Sequence, residues 1–153
     1  MDRNSLMTAM KNSISNVLEK MFYLPLELHE HQGADSQAEM YDMLCSRLEF
    51  TGHLSGYFLF YVPESFAGTI TADFLGKDKK DISTDDVRET LREVINMMAG
   101  NTFALYDDKA VFNLGIPRLI LKDTLRTGNS GNEITIDVNT PEDHMVLKLV
   151  VNS

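Results

Sequence analysis

Apolar residues at Leu6, Met7, Met10, Ile14, Val17, Leu18 and Met21 recur at helical spacing, which predicts an amphipathic helix over residues 4–22, ending before Pro25. Leu24, Leu26 and Leu28 then alternate with Glu27 and His29, the two-residue period of a strand. The polar stretch 33–42 predicts a loop or a turn of helix. Strands follow at about 47–50 and 56–62, the second apolar and aromatic enough to be central. Pro63 marks the start of a short helix over 64–75, with Phe66, Ile70 and Phe74 facing inward and Gly76 closing it.

The charged run Lys77-Asp78-Lys79-Lys80-Asp81 reads as a solvated loop. Ser83 or Thr84 then offers a hydroxyl cap, and Asp85 and Asp86 occupy a first turn where the helix dipole favours negative charge. In the helix they open, Val87, Leu91, Val94, Ile95 and Met98 make one apolar stripe. Propensity alone lets this helix end at Gly100. The last third reads as strands at 111–114, 118–122, 133–138 and 144–151, with turns at 128–132 and 139–143. The strand from Met145 to Val151 is broken only by Lys148, as expected for one covered on both faces or lying at a subunit contact. The pattern predicts an α+β fold, amphipathic helices packed on a mostly antiparallel sheet.

At 153 residues the chain is long enough to bury a core and too short for two ordinary domains, so a single domain over 1–153 is expected. Cys45 is the only cysteine; it reads as a small buried hydrophobe. No apolar run approaches the roughly 20 residues of a membrane span, and no signal pattern opens the chain, so a cytoplasmic location is expected. A net charge of −9 with scattered basic residues disfavours nucleic-acid binding, and with no spanning apolar run no membrane partner is expected.

On the polar side of this helix lie Glu93 and Asn96, with Glu89 and Gly100 nearby. Residues three apart are surface neighbours, roughly 5 to 6 Å at Cβ, so an acid and an amide can enter a partner's cleft together. On spacing alone the same face reads more readily as solvated helix surface. The run Asp86-Val87-Arg88-Glu89-Thr90-Leu91-Arg92-Glu93-Val94-Ile95-Asn96-Met97-Met98-Ala99-Gly100-Asn101 is more specific. It resembles the signature helix of the CheC/CheX family of chemotaxis phosphatases: an acid, two residues, Asn, often Met, then Gly and Asn; the family pattern implies that the helix continues past Gly100 to about Leu105. Phe112-Asn113-Leu114-Gly115-Ile116-Pro117-Arg118-Leu119-Ile120-Leu121 is similar to the strand, Pro break and strand that follow it in CheX-like domains. Upstream, Leu48 to Phe60 resembles the family's glycine-punctuated strand pair, and 64–76 its next helix.

The resemblance implies hydrolysis of the aspartyl phosphate on a CheY-type response regulator in chemotaxis or two-component signalling. It assigns Asn96 to orienting water and Glu93 to anchoring the receiver's lysine, with Glu89, Met97 and Gly100 as partner contacts, Met97 exposed beside Asn96. It implies no cofactor bound by this chain, Mg²⁺ supplied by the regulator, no covalent enzyme intermediate and a homodimer paired through a sheet edge. The alternative is a noncatalytic adaptor of the same fold that binds a receiver or flagellar-switch component. In CheC-type relatives the first helix carries a second acid-x-x-Asn site; here Ser13-Ile14-Ser15-Asn16 lacks the acid, so no second site is assigned and Asn16 is expected to be an exposed polar residue.

Other constellations are weaker. In His29-Glu30-His31 only the two histidines share a strand face, so exposed polar residues are expected rather than a metal site. His53 and His144 have no spaced acidic or cysteine partner. Ser55 and Ser65 lack a nucleophile-elbow context. Most of the nine methionines fall at core spacing.

Overall fold

The long amphipathic pattern at the start of the chain forms α1 (Arg3–Ile14), capped by the Asp2 carboxylate, which accepts from Ser5 N–H at 3.2 Å. It continues without a break through a π-helical stretch (Ser15–Glu19) into a last turn, α2 (Lys20–Phe22). The π stretch has a physical use. A stripe built on four-residue steps drifts about 40° per step around an α-helix, and the wider π turn brings it back. Leu6, Met10 and Ile14 before the stretch, and Val17, Leu18 and Phe22 through and after it, all reach one core. Tyr23 then adopts a left-handed conformation, φ 54°, and ends the helix.

The computed structural model describes residues 1–31, 43–120 and 132–152. The expected loop at 33–42, residues 128–131 of the turn expected at 128–132, and the end of the strand expected at 118–122 lie outside them; Asn132 already belongs to a strand. The described strands are β1 (Glu27–Glu30), β2 (Met43–Gly52), β3 (Gly56–Pro63), β4 (Phe112–Leu114), β5 (Arg118–Ile120), β6 (Asn132–Asn139) and β7 (His144–Val151). They form one antiparallel sheet in the order β1-β6-β7-β3-β2, with β4 and β5 both paired to the far side of β2. β1 starts later than the leucine alternation predicts: its ladder begins at Glu27, opposite Asn139, the last residue of β6. Gly56 opens β3 where a Cβ would lie 1.9 Å from the Val150 carbonyl oxygen, so the strand needs a residue without a side chain there.

The helices cover one face of this sheet. α3 (Glu64–Leu75) and α4 (Thr84–Tyr106) join α1 over Phe58, Phe60, Ile134, Ile136, Leu147 and Leu149. α1 and α4 pack closely enough for the buried Ser13 hydroxyl to donate to the Met98 carbonyl at 2.6 Å. The opposite face carries a smaller apolar cluster of Met43, Cys45, Leu59, Tyr61 and Val146. β7 therefore has buried residues on both faces, as its nearly unbroken apolar sequence predicts. Burial pushes the Cys45 thiol up to about 12. Among the described residues no helix is long and apolar enough to cross a membrane.

Two core assignments fail. Met21, on the apolar stripe of the first helix, is 42% exposed. Phe66 and Ile70 are buried, but Phe74 is 39% exposed. Its angle around α3 is right, yet every residue from Asp73 to Gly76 is exposed, because the last turn overhangs the core.

Candidate functional site

Ser83 caps α4. Its hydroxyl accepts from Asp86 N–H, and the Asp86 carboxylate accepts from Ser83 N–H, both at 3.0 Å. This closed capping box fixes where the helix starts and so the phase of every later residue. The Ser83 N–H, helped by Lys77, holds the Asp86 carboxyl below its usual range. With Thr90, Leu91, Val94, Ile95, Met98, Ala99, Thr102 and Phe103 buried, the side turned away from the core carries Glu89, Glu93, Asn96 and Gly100, within an arc of about 60° at 100° per residue. α4 runs through Gly100 to Tyr106. Burial of Thr102 and Phe103 beyond it outweighs the glycine's preference for ending a helix.

The wall opposite this stripe comes from the sheet edge. Leu114 of β4 lies opposite Phe50, and Arg118 of β5 opposite Arg47. Leu48 and Glu49 are therefore faced by Gly115, Ile116 and Pro117, one residue more on the edge strand, which is a β-bulge. The bulge is tied on both sides. Gly115 N–H donates to the Glu49 carbonyl at 2.7 Å, and Arg92 Nε donates to the Pro117 carbonyl at 2.9 Å. A Cβ on Gly115 would approach the Glu49 carbonyl oxygen to 3.1 Å, so the close seat favours glycine. Arg92 also pairs with Glu89 at 3.0 Å.

Between α4 and the bulge lies an open hollow of about 310 Å³ lined by Glu89, Arg92, Glu93, Asn96, Gly115, Ile116 and Pro117. Three of the sequence-predicted site residues, Glu89, Glu93 and Asn96, meet there. Glu93 is exposed and Asn96 half-buried, and among the described residues no hydrogen bond or ion pair engages either side chain. Gly100 lines the next hollow along α4, with Phe103, Ala104, Phe112 and Leu114. Met97 departs from expectation: it is half-buried and packs against the main core rather than standing exposed beside Asn96. Asn16 departs too. It is half-buried, and its amide donates to Asn101 Oδ1 at 3.3 Å, because α1 lies directly against α4.

Arg92 and the bulge residues Gly115, Ile116 and Pro117 are the lining residues that sequence reasoning did not assign to the site. The signal for Arg92 was weak: a cation three residues after Glu89 reads as an ordinary helix-surface pair. Ile116 stood inside the Gly-Ile-Pro break, whose bulge depends on the register against β2.

The histidines also differ from expectation. His29 is exposed, but His31 Nδ1 lies 2.7 Å from one Asp137 oxygen and His144 Nε2 lies 3.0 Å from the other. Asp137 is thus the acidic partner that neither histidine shows by spacing. The contacts arise from the pairing of β1, β6 and β7, which brings distant residues together on the face away from the helices. Among the described residues no group of three or more His, Cys, Asp or Glu side chains is arranged to hold a metal ion.

Comparison with known proteins bears on the Glu93–Asn96 hollow. A protein family described as "Chemotaxis phosphatase CheX" matches residues 44–139, more than half of the chain and inclusive of α4 and the bulge. Among proteins with curated descriptions, none matches this chain in sequence. Among solved structures, CheX in a CheX–CheY–BeF3–Mg²⁺ complex from Borrelia burgdorferi is similar at 15% identity and a TM-score of 0.77, covering 99% of this chain and 100% of that one. CheX from Vibrio vulnificus is 18% identical, with a TM-score of 0.78 and coverage of 96% and 99%. A CheC-like protein from Shewanella sp. PV-4 is 17% identical, with a TM-score of 0.77 and 100% of both chains covered. At these identities the structural likeness is one of fold.

Proposed function

This chain belongs to the CheX family of chemotaxis phosphatases, and from that premise we propose that it hydrolyses the aspartyl phosphate of a CheY-type receiver domain, with Asn96 orienting water and Glu93 anchoring the receiver. The observation that carries this reading is the shared hollow: an exposed carboxylate and a half-buried amide, one helical turn apart, line one concavity and engage neither each other nor a neighbour among the described residues.

The chemistry asks little of the phosphatase. An acyl phosphate is already activated, so the chief task is to hold one water in line with phosphorus. A carboxamide suits that task because it offers both a donor and an acceptor. The receiver supplies the phosphorylated Asp and the Mg²⁺ that neutralises charge on the phosphoryl oxygens. The presence of CheY with BeF3 and Mg²⁺ in the Borrelia burgdorferi complex supports this division of labour. Water attacks phosphorus, the P–O bond to the receiver's Asp breaks, and inorganic phosphate leaves. No bond to this chain forms. Glu93 pairs with a receiver lysine beside the phosphate and sets the register of Asn96. A homodimer belongs to the same reading, and light scattering of the purified chain tests it.

The deciding experiment is phosphate release from a Mg²⁺-loaded, phosphorylated receiver of the same cell, with and without this protein. Acceleration supports the phosphatase; binding without acceleration points to the adaptor. Glu93→Ala is expected to raise KM about fivefold, the scale of one solvent-exposed ion pair, and to lower kcat with it as the register loosens. Native kinetics in that variant would remove Glu93 from the site.

Gly100→Ala separates stability from docking. Gly100 sits inside a long helix, where glycine costs about 1 kcal/mol relative to alanine. A Cβ there would meet only Leu114 Cδ1, at an ordinary 3.8 Å. Its place on the same stripe as Glu93 and Asn96 instead suits close approach of the receiver backbone. The variant is expected to unfold at higher urea concentration and to bind the receiver more weakly. Tighter or unchanged binding would count against a docking role for Gly100.

A further inference from the structure

The bulge between β4 and β5 places a large apolar side chain where the chain's own core has no use for it. Ile116 is 80% exposed, yet it lines the same hollow as Glu93 and Asn96. Its flanking residues are held in place, Gly115 by the Glu49 carbonyl and Pro117 by Arg92, with the ring of Pro117 restricting the backbone further. Bulges re-aim a side chain at a sheet edge, and this one aims Ile116 at the rim of the site.

We infer that Ile116 is the apolar anchor for the receiver, seated against an apolar spot on the receiver's surface beside its phosphorylated Asp. This rests on the phosphatase reading above. A receiver that brings its phosphate to Asn96 must cover Ile116, because both residues line one hollow, whereas a second copy of this chain on Ile116 would obstruct Asn96. Anchoring through a side chain on a tied loop also loses little conformational entropy on binding. The surrounding rim is polar: Arg118 pairs with Glu49 at 3.6 Å beside the bulge, and Arg92 pairs with Glu89 on the helix side. An apolar centre within a polar rim is the usual layout of a docking patch.

The test uses the full chain and its Ile116→Ser and Ile116→Leu variants. Affinity is measured for the receiver loaded with beryllofluoride and Mg²⁺, turnover for the phosphorylated receiver, and oligomeric state by light scattering. Ile116→Ser is expected to raise Kd and KM about tenfold while kcat at saturation stays native, and Ile116→Leu is expected to restore most of the affinity. If the native chain accelerates hydrolysis and Ile116→Ser matches it in Kd and KM, the inference is overturned and the phosphatase reading stands. A change of oligomeric state with unchanged KM would overturn it in favour of a self-contact. If the native chain neither binds nor accelerates, the phosphatase reading fails and the inference fails with it.

Discussion

Asn96→Ala is expected to slow phosphate release at saturating receiver by about a hundredfold or more, the scale of losing one positioned polar group at a reacting centre, with Kd for the beryllofluoride-loaded receiver within about twofold of native. The two halves of this prediction come from different parts of the site. Binding draws on Glu93, Ile116 and the open stripe of α4, all of which remain. Turnover draws on one amide that holds water in line, and alanine has neither a donor nor an acceptor to replace it. The fold should be indifferent. Among the described residues Asn96 engages no partner, so truncating it leaves no buried group unsatisfied, and a change beyond about 0.5 kcal/mol is not expected. Single-turnover release at saturating protein separates the cases. Native turnover in the variant would mean that water is ordered elsewhere, and loss of binding together with turnover would make Asn96 a docking residue.

How much of this was legible in the sequence varied with what sets each feature. α3 matches its expected span of 64–75 because Pro63 and Gly76 punctuate it locally. The start of α4 was equally local, since Ser83 and Asp86 cap each other across three residues. Its end was not. Gly100 signals a stop by propensity; the family resemblance implied continuation to about Leu105, and burial of Thr102 and Phe103 in the assembled core is what carries the helix past the glycine. The outward-facing stripe of Glu89, Glu93, Asn96 and Gly100 followed directly from helical phase, so half of the hollow was predictable. The other half depends on a one-residue shift in pairing between β2 and its edge partners, which no spacing within 112–120 reveals. The same limit hid Asp137 from His31 and His144, and Asn101 from Asn16. Residue periodicity reports which way a side chain points, whereas these contacts depend on which strand or helix arrives next to it.

Phe103→Ala is expected to destabilise the chain by about 3 to 5 kcal/mol, a large share of the roughly 5 to 15 kcal/mol that holds a typical domain folded. Phe103 is 4% exposed and joins three other rings: its centroid lies 4.7 Å from that of Phe50, 5.5 Å from Phe58 and 4.1 Å from Phe112, stacked on the last at an interplanar angle of 5°. Removing the ring opens a cavity between α4, the β2–β3 pair and β4 at once. The Phe112 stack gives the loss a functional direction, because Phe112 begins β4 and β4 leads into the bulge that carries Ile116. Urea unfolding should therefore show the stability loss, and the folded fraction should show a raised KM with Asn96 still in place. Phe103→Leu, which keeps most of the volume without the stacked ring, should recover much of the stability and less of the KM. A loss below about 1 kcal/mol would mean that the core closes over the missing ring. A native KM in the folded variant would mean that the ties from Arg92 and Glu49 hold the bulge without help from the aromatic stack.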